Sequence, residues 1–186
     1  SVENIKSLSF NKMTTSLHKH DKVILAIPPN VITRLLPSFQ TPKKENAIVN
    51  VHFLLEDKPN LPNNSPFVGI IGGQSHWLFK HKDIYSVTIS AANEFAKKSD
   101  KEISKIIWKE VAQVIGDENR ECPLYRIIRE KRATFAQTSA ENQLRPDSQT
   151  QWKNLFLAGD WTNTSLPATI ESAVVSGQKV AEIVHK

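Results

Sequence analysis

Residues 154–177 constrain the fold most, because they predict a buried strand that leads through a turn into a helix. Residues 155–158 form a short apolar run, Leu-Phe-Leu-Ala, which is typical of a strand covered on both faces in a parallel sheet. Gly159 lets the backbone approach a ligand closely, and Asp160 places a carboxylate at the carboxyl end of the strand. Open α/β sheets bind their ligands at that end, so this layout indicates a cofactor-binding strand, turn and helix.

The segment after this turn has the spacing of a helix. Pro167 suits the first helical position. Apolar and small side chains then recur at helical intervals: Ile170, Val174, Val180 and Val184 are apolar, and Ala168, Ser172, Ala173 and Gly177 form a small face. With Pro167 first in the helix, the N-cap is Leu166, which has no side-chain acceptor. The free N–H groups of the first turn would then serve an external acceptor.

These residues carry a family resemblance. Residues 154–162 (NLFLAGDWT) and 166–173 (LPATIESA) resemble the C-terminal flavin motif of the amine oxidase and phytoene desaturase superfamily of FAD-dependent oxidoreductases. Within that superfamily the chain most resembles the squalene-associated FAD-dependent desaturases, or hydroxysqualene dehydroxylases, of hopanoid biosynthesis. Three further segments support the narrower match: residues 23–29 (VILAIPP), 47–53 (AIVNVHF) and 130–137 (EKRATFAQ). The resemblance covers nearly the whole chain.

The resemblance implies an α/β fold: the C-terminal part of a glutathione-reductase-like, FAD-binding Rossmann fold with a mixed-sheet α+β substrate domain. It assigns FAD as cofactor and implies that its binding residues are Pro28, Gly159, Asp160, Trp161, Pro167, Ala168, Thr169 and Ile170. Asp160 would accept a hydrogen bond from a ribityl hydroxyl or lie near the pyrophosphate. The N–H groups of residues 168–170 would point at the pyrimidine end of the flavin, where negative charge accumulates on reduction.

The chain has no Gly-x-Gly-x-x-Gly turn, with which members of this superfamily begin and hold the ADP pyrophosphate. Its one glycine pair, Gly72-Gly73, lies between strand-like segments and precedes no helix. We therefore expect the C-terminal portion of a longer enzyme, which lacks the N-terminal FAD-binding portion. An alternative is a non-catalytic half that requires a separately made N-terminal partner. Either piece would expose a sheet edge and a helix face, which favours homodimers or aggregates.

The implied activity is reductive dehydroxylation of hydroxysqualene to squalene, with a hydride delivered from reduced FAD to the allylic carbon. A phytoene or carotenoid desaturase and an amine oxidase are the alternatives. A hydrophobic isoprenoid substrate needs a long apolar cavity, and the candidate lining residues are Val49, Val51, Phe53, Trp77 and Phe79, each of which is alternatively a core residue. The sequence identifies no catalytic residue. His52 and His76 are either proton donors facing this cavity or ordinary strand residues.

The order of elements predicts three stretches. Residues 1–40 form a segment of the FAD-binding domain, 41–135 a substrate-binding domain with a mixed sheet and a helix, and 136–186 the C-terminal FAD-binding strand, turn and helix. The resemblance places the Pro28-Pro29 turn beside the flavin. The expected strands are residues 22–27, 47–55, 68–71 paired with 76–79, 84–91 and 125–135, and the expected helices are residues 31–36 and a helix capped by Ser99 and Glu102 that ends at Gly116.

Composition restricts the class of protein. With 39% hydrophobic and 23% charged residues the chain is ordinary globular material, and no apolar run reaches the 18 or so residues of a membrane span. We expect a cytoplasmic protein, with peripheral association with the inner membrane as an alternative. One cysteine excludes an internal disulfide, and the six histidines form no zinc pattern with it, so no metal is expected.

The net charge of +5 is locally concentrated in the segment that contains Arg126, Arg129, Lys131 and Arg132. This segment is a solvated strand face, a dock for an anionic membrane or partner, or a nucleic-acid site. No recognition helix or aromatic nucleic-acid motif accompanies it, so nucleic acid is not expected as a partner.

Overall fold

The computed structural model describes residues 3–185, which fall into two compact units. Unit 1 comprises the described residues of Ser1–Lys44 and Phe135–Lys186, and unit 2 comprises Glu45–Thr134. The strands are β1 (Ser7–Phe10), β2 (Met13–Ser16), β3 (Val23–Leu25), β4 (Glu45–Leu54), β5 (Phe67–Gly69), β6 (Trp77–His81), β7 (Ile84–Ile89), β8 (Tyr125–Phe135) and β9 (Leu155–Leu157). The helices are α1 (Pro29–Leu35), α2 (Asp100–Val114), α3 (Ser139–Asn142) and α4 (Ile170–Val184).

Unit 1 is built around a parallel pair of short strands. β3 and β9 align Val23 with Leu155 and Leu25 with Leu157, although their sequences lie more than a hundred residues apart. All three residues of β9 are buried, which confirms the strand predicted from the apolar run. Helix α1 follows β3 directly and begins at Pro29, two residues before the predicted start, because a proline is well accommodated in the first turn of a helix.

The two faces of β9 pack against different helices of unit 1. Leu157 lies in a cluster with Ile32 of α1 and with Phe135, Trp161 and Ala168. Phe156 and Ala158 point the other way and pack against Val180 of α4. Full burial of a leucine or phenylalanine side chain stabilises a fold by about 1.5–3 kcal/mol. The strand is therefore covered on both faces, as residues of a parallel sheet are.

Helix α4 begins at Ile170, so the prediction that Pro167 is its first residue is wrong. Thr169 is the N-cap and accepts a hydrogen bond from the N–H of Ser172 at 3.3 Å. Thr169 has the extended backbone and the hydroxyl that a cap requires, whereas Leu166 offers no acceptor. Pro167 instead lies in the turn that precedes the helix.

The buried stripe of α4 consists of small side chains. Ser172, Ser176 and Val180 are at most 1% exposed, whereas Ile170 and Val174 are 87% and 54% exposed. Of the predicted small face, Ala173 and Gly177 lie on the exposed side of the helix. The chain thus leaves an apolar strip of α4 uncovered.

Unit 2 is a five-stranded sheet in the order β5-β6-β7-β4-β8, with α2 packed on one of its faces. The sequence prediction of a capping box is confirmed: Ser99 accepts from the N–H of Glu102, and the carboxylate of Glu102 accepts from the N–H of Ser99 at 3.0 Å. The core between sheet and helix contains every second residue of the inner strands together with one stripe of α2, including Val49, Val51, Phe53, Leu78, Tyr85, Val87, Ile103, Ile107 and Val111. No helix within residues 3–185 has the length and apolar character needed to cross a membrane.

Candidate functional site

The turn after β9 is shaped by Gly159 and Trp161. Gly159 has a φ of +148°, and a Cβ atom added there would lie 2.4 Å from Nε1 of Trp161. That indole nitrogen donates to the carbonyl of Ile27 at 3.0 Å, which ties the turn to the segment just before Pro28. The N–H of Gly159 donates to Ser176 on α4 at 2.8 Å. A side chain at position 159 would therefore displace Trp161. The contact of Trp161 with Ile27 places the residue before Pro28 beside the Gly-Asp turn, although the two are distant in sequence.

Arg145 holds the loop between β9 and α4 in place. Its guanidinium donates to the main-chain carbonyl of Asp160 at 3.0 Å, to the carbonyl of Leu166 at 2.8 Å and to the hydroxyl of Thr164 at 3.0 Å. The same group lies 5.4 Å from the centre of the Phe135 ring, within range of a cation–π interaction. Sequence reasoning missed this residue, because its acceptors lie 15 to 21 residues further along the chain and no local pattern marks them.

The Asp160 carboxyl and the Arg145 guanidinium each affect the pKa of the other. Burial raises the pKa of Asp160, while hydrogen bonds from the N–H groups of Asp160 and Trp161 and the charge of Arg145 oppose the rise. Burial lowers the pKa of Arg145, and Asp160 opposes that change. A further hydrogen-bond donor, such as an alcohol O–H, would stabilise this half-buried carboxylate, because hydrogen bonding to the charged form offsets the cost of desolvation.

The start of α4 presents free donors. The N–H of Ala168 is taken by the side-chain oxygen of Gln137 at 3.2 Å. Among residues 3–185, the N–H groups of Thr169, Ile170 and Glu171 have no hydrogen-bond acceptor. Unpaired N–H groups and the helix dipole favour an acceptor or a negative charge at this position. Together with Asp160, they suit a ligand that carries both hydroxyl donors and carbonyl or phosphate acceptors.

A second surface of chemical interest lies in unit 2, on the face of the sheet opposite to α2. Cross-strand pairing sets two adjacent rows of residues across β5, β6, β7 and β4: Phe67, Phe79, Ser86 and His52 in one row, and Gly69, Trp77, Thr88 and Asn50 in the next. We call these residues the open face. Each row runs from an aromatic side chain on β6 to a polar side chain on β4.

The aromatic end of the open face is exposed. Phe67, Trp77 and Phe79 have 48%, 46% and 42% of their surface accessible. Their ring centres lie 5.9–6.5 Å apart. Three clustered, half-exposed aromatic side chains form an apolar patch, which marks a binding surface more often than scattered residues do.

The polar end of the open face consists of two hydrogen-bonded pairs. Nδ1 of His52 lies 2.7 Å from the Ser86 hydroxyl, and the Thr88 hydroxyl donates to the side-chain oxygen of Asn50 at 2.8 Å. His76 is not part of this group, since its Nδ1 accepts from the N–H of Ser90 at 3.1 Å. Polar side chains of β7 and β4 therefore lie on the same surface as the aromatic side chains of the neighbouring strands β5 and β6.

The candidate cavity residues from the sequence do not lie together. Val49, Val51 and Phe53 have none of their surface exposed and belong to the core beneath α2. Trp77 and Phe79 lie on the opposite face of the same sheet. The two sets are separated by the thickness of the sheet, so only Trp77 and Phe79 are available to a ligand.

The basic segment of β8 is partly neutralised within unit 2. Arg129 donates to the carbonyls of Ala96 and Lys98 and forms an ion pair with Asp100 at 2.6 Å. Arg132 forms an ion pair with Glu45 at 3.2 Å. Two of the four basic residues of this segment are thus engaged within unit 2, whereas Arg126 and Lys131 are exposed.

A parallel strand pair, a Gly-Asp turn and a helix with free N-terminal donors define a protein of the α/β class, in which ligands bind at the carboxyl ends of the strands. Residues 6–185 match the family described as flavin containing amine oxidoreductase. The chain belongs to this family, and FAD is the cofactor that the membership assigns.

Two curated relatives differ strongly in their similarity to this chain. The chain is 42% identical over 183 residues to the hydroxysqualene dehydroxylase of Zymomonas mobilis, with 98% of this chain and 43% of the relative covered. It is 22% identical over 207 residues to the 15-cis-phytoene desaturase of Synechococcus elongatus, with 99% of this chain and 44% of the relative covered. The chain thus spans less than half the length of these relatives.

Among solved structures, the fold is similar to that of a putative protoporphyrinogen oxidase from Exiguobacterium sp. 255-15. The TM-score is 0.63 at 13% identity, with 98% of this chain and 46% of the other covered. At this identity the likeness concerns the fold alone.

Proposed function

We propose that this chain is part of an FAD-dependent oxidoreductase that converts hydroxysqualene to squalene. The observation that carries the proposal is the 42% identity over 98% of the chain to a hydroxysqualene dehydroxylase. A phytoene-type desaturase is the second candidate, and its support is weaker because the corresponding identity is 22%. The reaction exchanges an allylic C–OH for C–H, so a hydride and a proton enter and water leaves.

In this proposal unit 1 holds the cofactor. The Asp160 carboxylate accepts a hydrogen bond from a ribityl hydroxyl, and the N–H groups of Thr169 and Ile170 donate to acceptor atoms of the flavin. Gly159 and Trp161 shape the turn, while Pro28, Pro167 and Ala168 border it. When bound, FAD supplies the two-electron chemistry, and the protein supplies orientation and electrostatics.

The remaining length of the relatives is proposed to complete unit 1. A two-stranded parallel sheet is too small to be stable alone and normally lies inside a larger sheet. Ile24 of β3 and Ile170 and Val174 of α4 are 47%, 87% and 54% exposed, which leaves apolar surface for such an addition. An N-terminal portion with a glycine-rich turn would bind the pyrophosphate. By itself the chain is expected to be inactive and to form homodimers or aggregates through this surface.

The proposed substrate also bears on where in the cell the enzyme acts. An isoprenoid hydrocarbon dissolves in lipid rather than water, so we propose a cytoplasmic enzyme that associates peripherally with the inner membrane. Vesicle flotation of the completed enzyme, which is this chain joined to the N-terminal portion of the Zymomonas mobilis relative, tests this point. An enzyme that stays with the soluble fraction at all lipid concentrations contradicts it.

The first test compares FAD binding by two proteins, this chain alone and the completed enzyme. Flavin absorbance and fluorescence follow each titration. We expect tight binding by the completed enzyme alone. Tight binding by the chain alone would contradict the need for the N-terminal portion, and an absence of binding by both would contradict the flavin site.

A further inference from the structure

We propose that the open face of unit 2 recognises an isoprenoid alcohol, and that His52, positioned by Ser86, binds its hydroxyl group. The proposal rests on the proposed function, since it concerns the substrate of the same enzyme. It assigns the aromatic end of the open face, Phe67, Trp77 and Phe79, to the hydrocarbon chain.

The first argument is the arrangement of the row that contains Phe79, Ser86 and His52. These residues are direct cross-strand partners on β6, β7 and β4. Neighbouring strands lie about 4.8 Å apart, so Phe79 and His52 are separated by roughly 10 Å. One extended ligand can therefore lie along the row with an apolar segment on the aromatic rings and a polar group at the histidine.

The second argument is the free nitrogen of His52. Because Nδ1 is engaged by the Ser86 hydroxyl at 2.7 Å, the ring is held in a fixed orientation. Among residues 3–185, Nε2 of His52 has no hydrogen-bond partner. Since side chains alternate along β4, this ring lies on the open face rather than in the core.

The third argument concerns discrimination between substrates. A pure hydrocarbon laid over the open face would cover Nε2 of His52 without offering it a hydrogen bond. A site built to bind a hydroxyl group rejects an analogue that lacks it, because buried polar groups are left unpaired. The polar end thus favours an alcohol over the hydrocarbon, and an alcohol substrate over a desaturase substrate.

The experiment measures equilibrium binding to the completed enzyme, loaded with FAD. The probes are farnesol, a short isoprenoid alcohol, and the hydrocarbon with the same chain and no hydroxyl. The variants are His52→Phe, Ser86→Ala and Trp77→Ala, with His20→Phe as a control because His20 is exposed in unit 1. Circular dichroism verifies that each variant is folded.

We expect the parent to bind the alcohol about tenfold more tightly than the hydrocarbon, which corresponds to one hydrogen bond. His52→Phe removes the preference, because it weakens alcohol binding and strengthens rather than weakens hydrocarbon binding; Ser86→Ala reduces the preference in part. Trp77→Ala weakens both ligands, and His20→Phe weakens neither. If His52→Phe does not fold, the result of Ser86→Ala decides.

An equal affinity of the parent for both probes, or no binding of either, overturns the inference. So does a preference that survives both His52→Phe and Ser86→Ala. The readout does not involve turnover, so a failure of the proposed reaction is seen separately, as a lack of squalene production by a parent enzyme that still prefers the alcohol.

Discussion

Arg145 donates a hydrogen bond from Nη2 to the main-chain carbonyl of Asp160, at 3.0 Å, and from Nη1 to that of Leu166, at 2.8 Å. One guanidinium thus joins the two ends of the loop that leads from β9 to α4. Without it, the Leu166 carbonyl would lose this donor and the Asp160 carbonyl would keep that of the Ser172 hydroxyl at 3.2 Å. The loss of a donor in a partly buried setting is costly for a polar group.

Arg145→Lys is expected to lower the free energy of unfolding by about 1–3 kcal/mol, because an ammonium group cannot donate to both carbonyls in the same fork geometry. FAD binding by the completed enzyme should weaken as well, since Asp160 loses its fixed position. Urea unfolding and flavin titration measure the two effects. Arg126→Lys, at an exposed position of β8, serves as the control and should change stability by less than about 0.5 kcal/mol. Equal effects of the two substitutions would contradict the assigned role.

Asp160 predicts a pH-dependent effect. Burial raises its pKa in the folded protein above the ordinary value of 3.8. The protonated carboxyl group therefore stabilises the folded state fully at a pH below the pKa of Asp160 in the unfolded chain. This stabilisation is lost as the pH rises through the pKa of Asp160 in the folded protein. Asp160→Asn should make the chain more stable than the parent at pH 7, with a difference that shrinks as the pH falls towards 4. Urea unfolding at several pH values checks this.

The same substitution should weaken FAD binding, because an amide is a poorer acceptor than a carboxylate for a ribityl hydroxyl. Glu182→Gln, on the exposed side of α4, is the matched control and should alter neither quantity. A variant Asp160→Asn that is less stable than the parent at pH 7 is inconsistent with the desolvated carboxylate.

Gly159 and Gly177 predict opposite effects of the same substitution. Gly159→Ala places a Cβ against Trp161 at a φ of +148°, so it should destabilise the chain by about 1–3 kcal/mol. Gly177 lies within α4, and among the described residues a methyl group there would meet no atom beyond the helix's own backbone within 4 Å. Gly177→Ala should therefore stabilise the isolated chain by about 0.5–1 kcal/mol. Thermal unfolding of both variants tests the pair, and a stable Gly159→Ala chain with unchanged Trp161 fluorescence would disprove the packing.

Phe53 and Phe79 test the two faces of the sheet. Phe53 is completely buried beneath α2, so Phe53→Ala should cost about 3–5 kcal/mol. Phe79 is 42% exposed on the open face, so Phe79→Ala should cost far less and should instead weaken the binding of apolar ligands. Urea unfolding compares the two variants. Similar losses of stability would mean that the two rings do not lie on different faces.

Local sequence patterns predicted the elements whose signals lie within a few residues. The Ser99 and Glu102 pair correctly predicted the start of α2, and the alternation in residues 47–55 correctly predicted β4. The start of α4 was predicted wrongly because two cap candidates compete, and the hydroxyl of Thr169 outweighs the preference of Pro167 for a first turn. The hairpin of β1 and β2 was not predicted, since each strand is only four residues long and β2 has no alternation of apolar and polar residues.

Features set by contacts between distant residues could not be predicted. Arg145 acts on the Asp160 carbonyl, whose position only the folded loop determines. The alternation within each strand shows that Val51 and Phe53 share a face, as do Trp77 and Phe79. Whether the two pairs share one surface depends on the register of β6, β7 and β4, which aligns Leu78 with Val87 and thereby turns Trp77 and Phe79 away from the core.

The most direct test of the central claim is a single-turnover reaction of the completed enzyme with hydroxysqualene, under anaerobic conditions and with FAD chemically reduced beforehand. The account predicts that one squalene forms for each FAD that is oxidised. Unchanged hydroxysqualene, together with desaturation of phytoene by the oxidised enzyme, would contradict the proposed reaction and favour a desaturase.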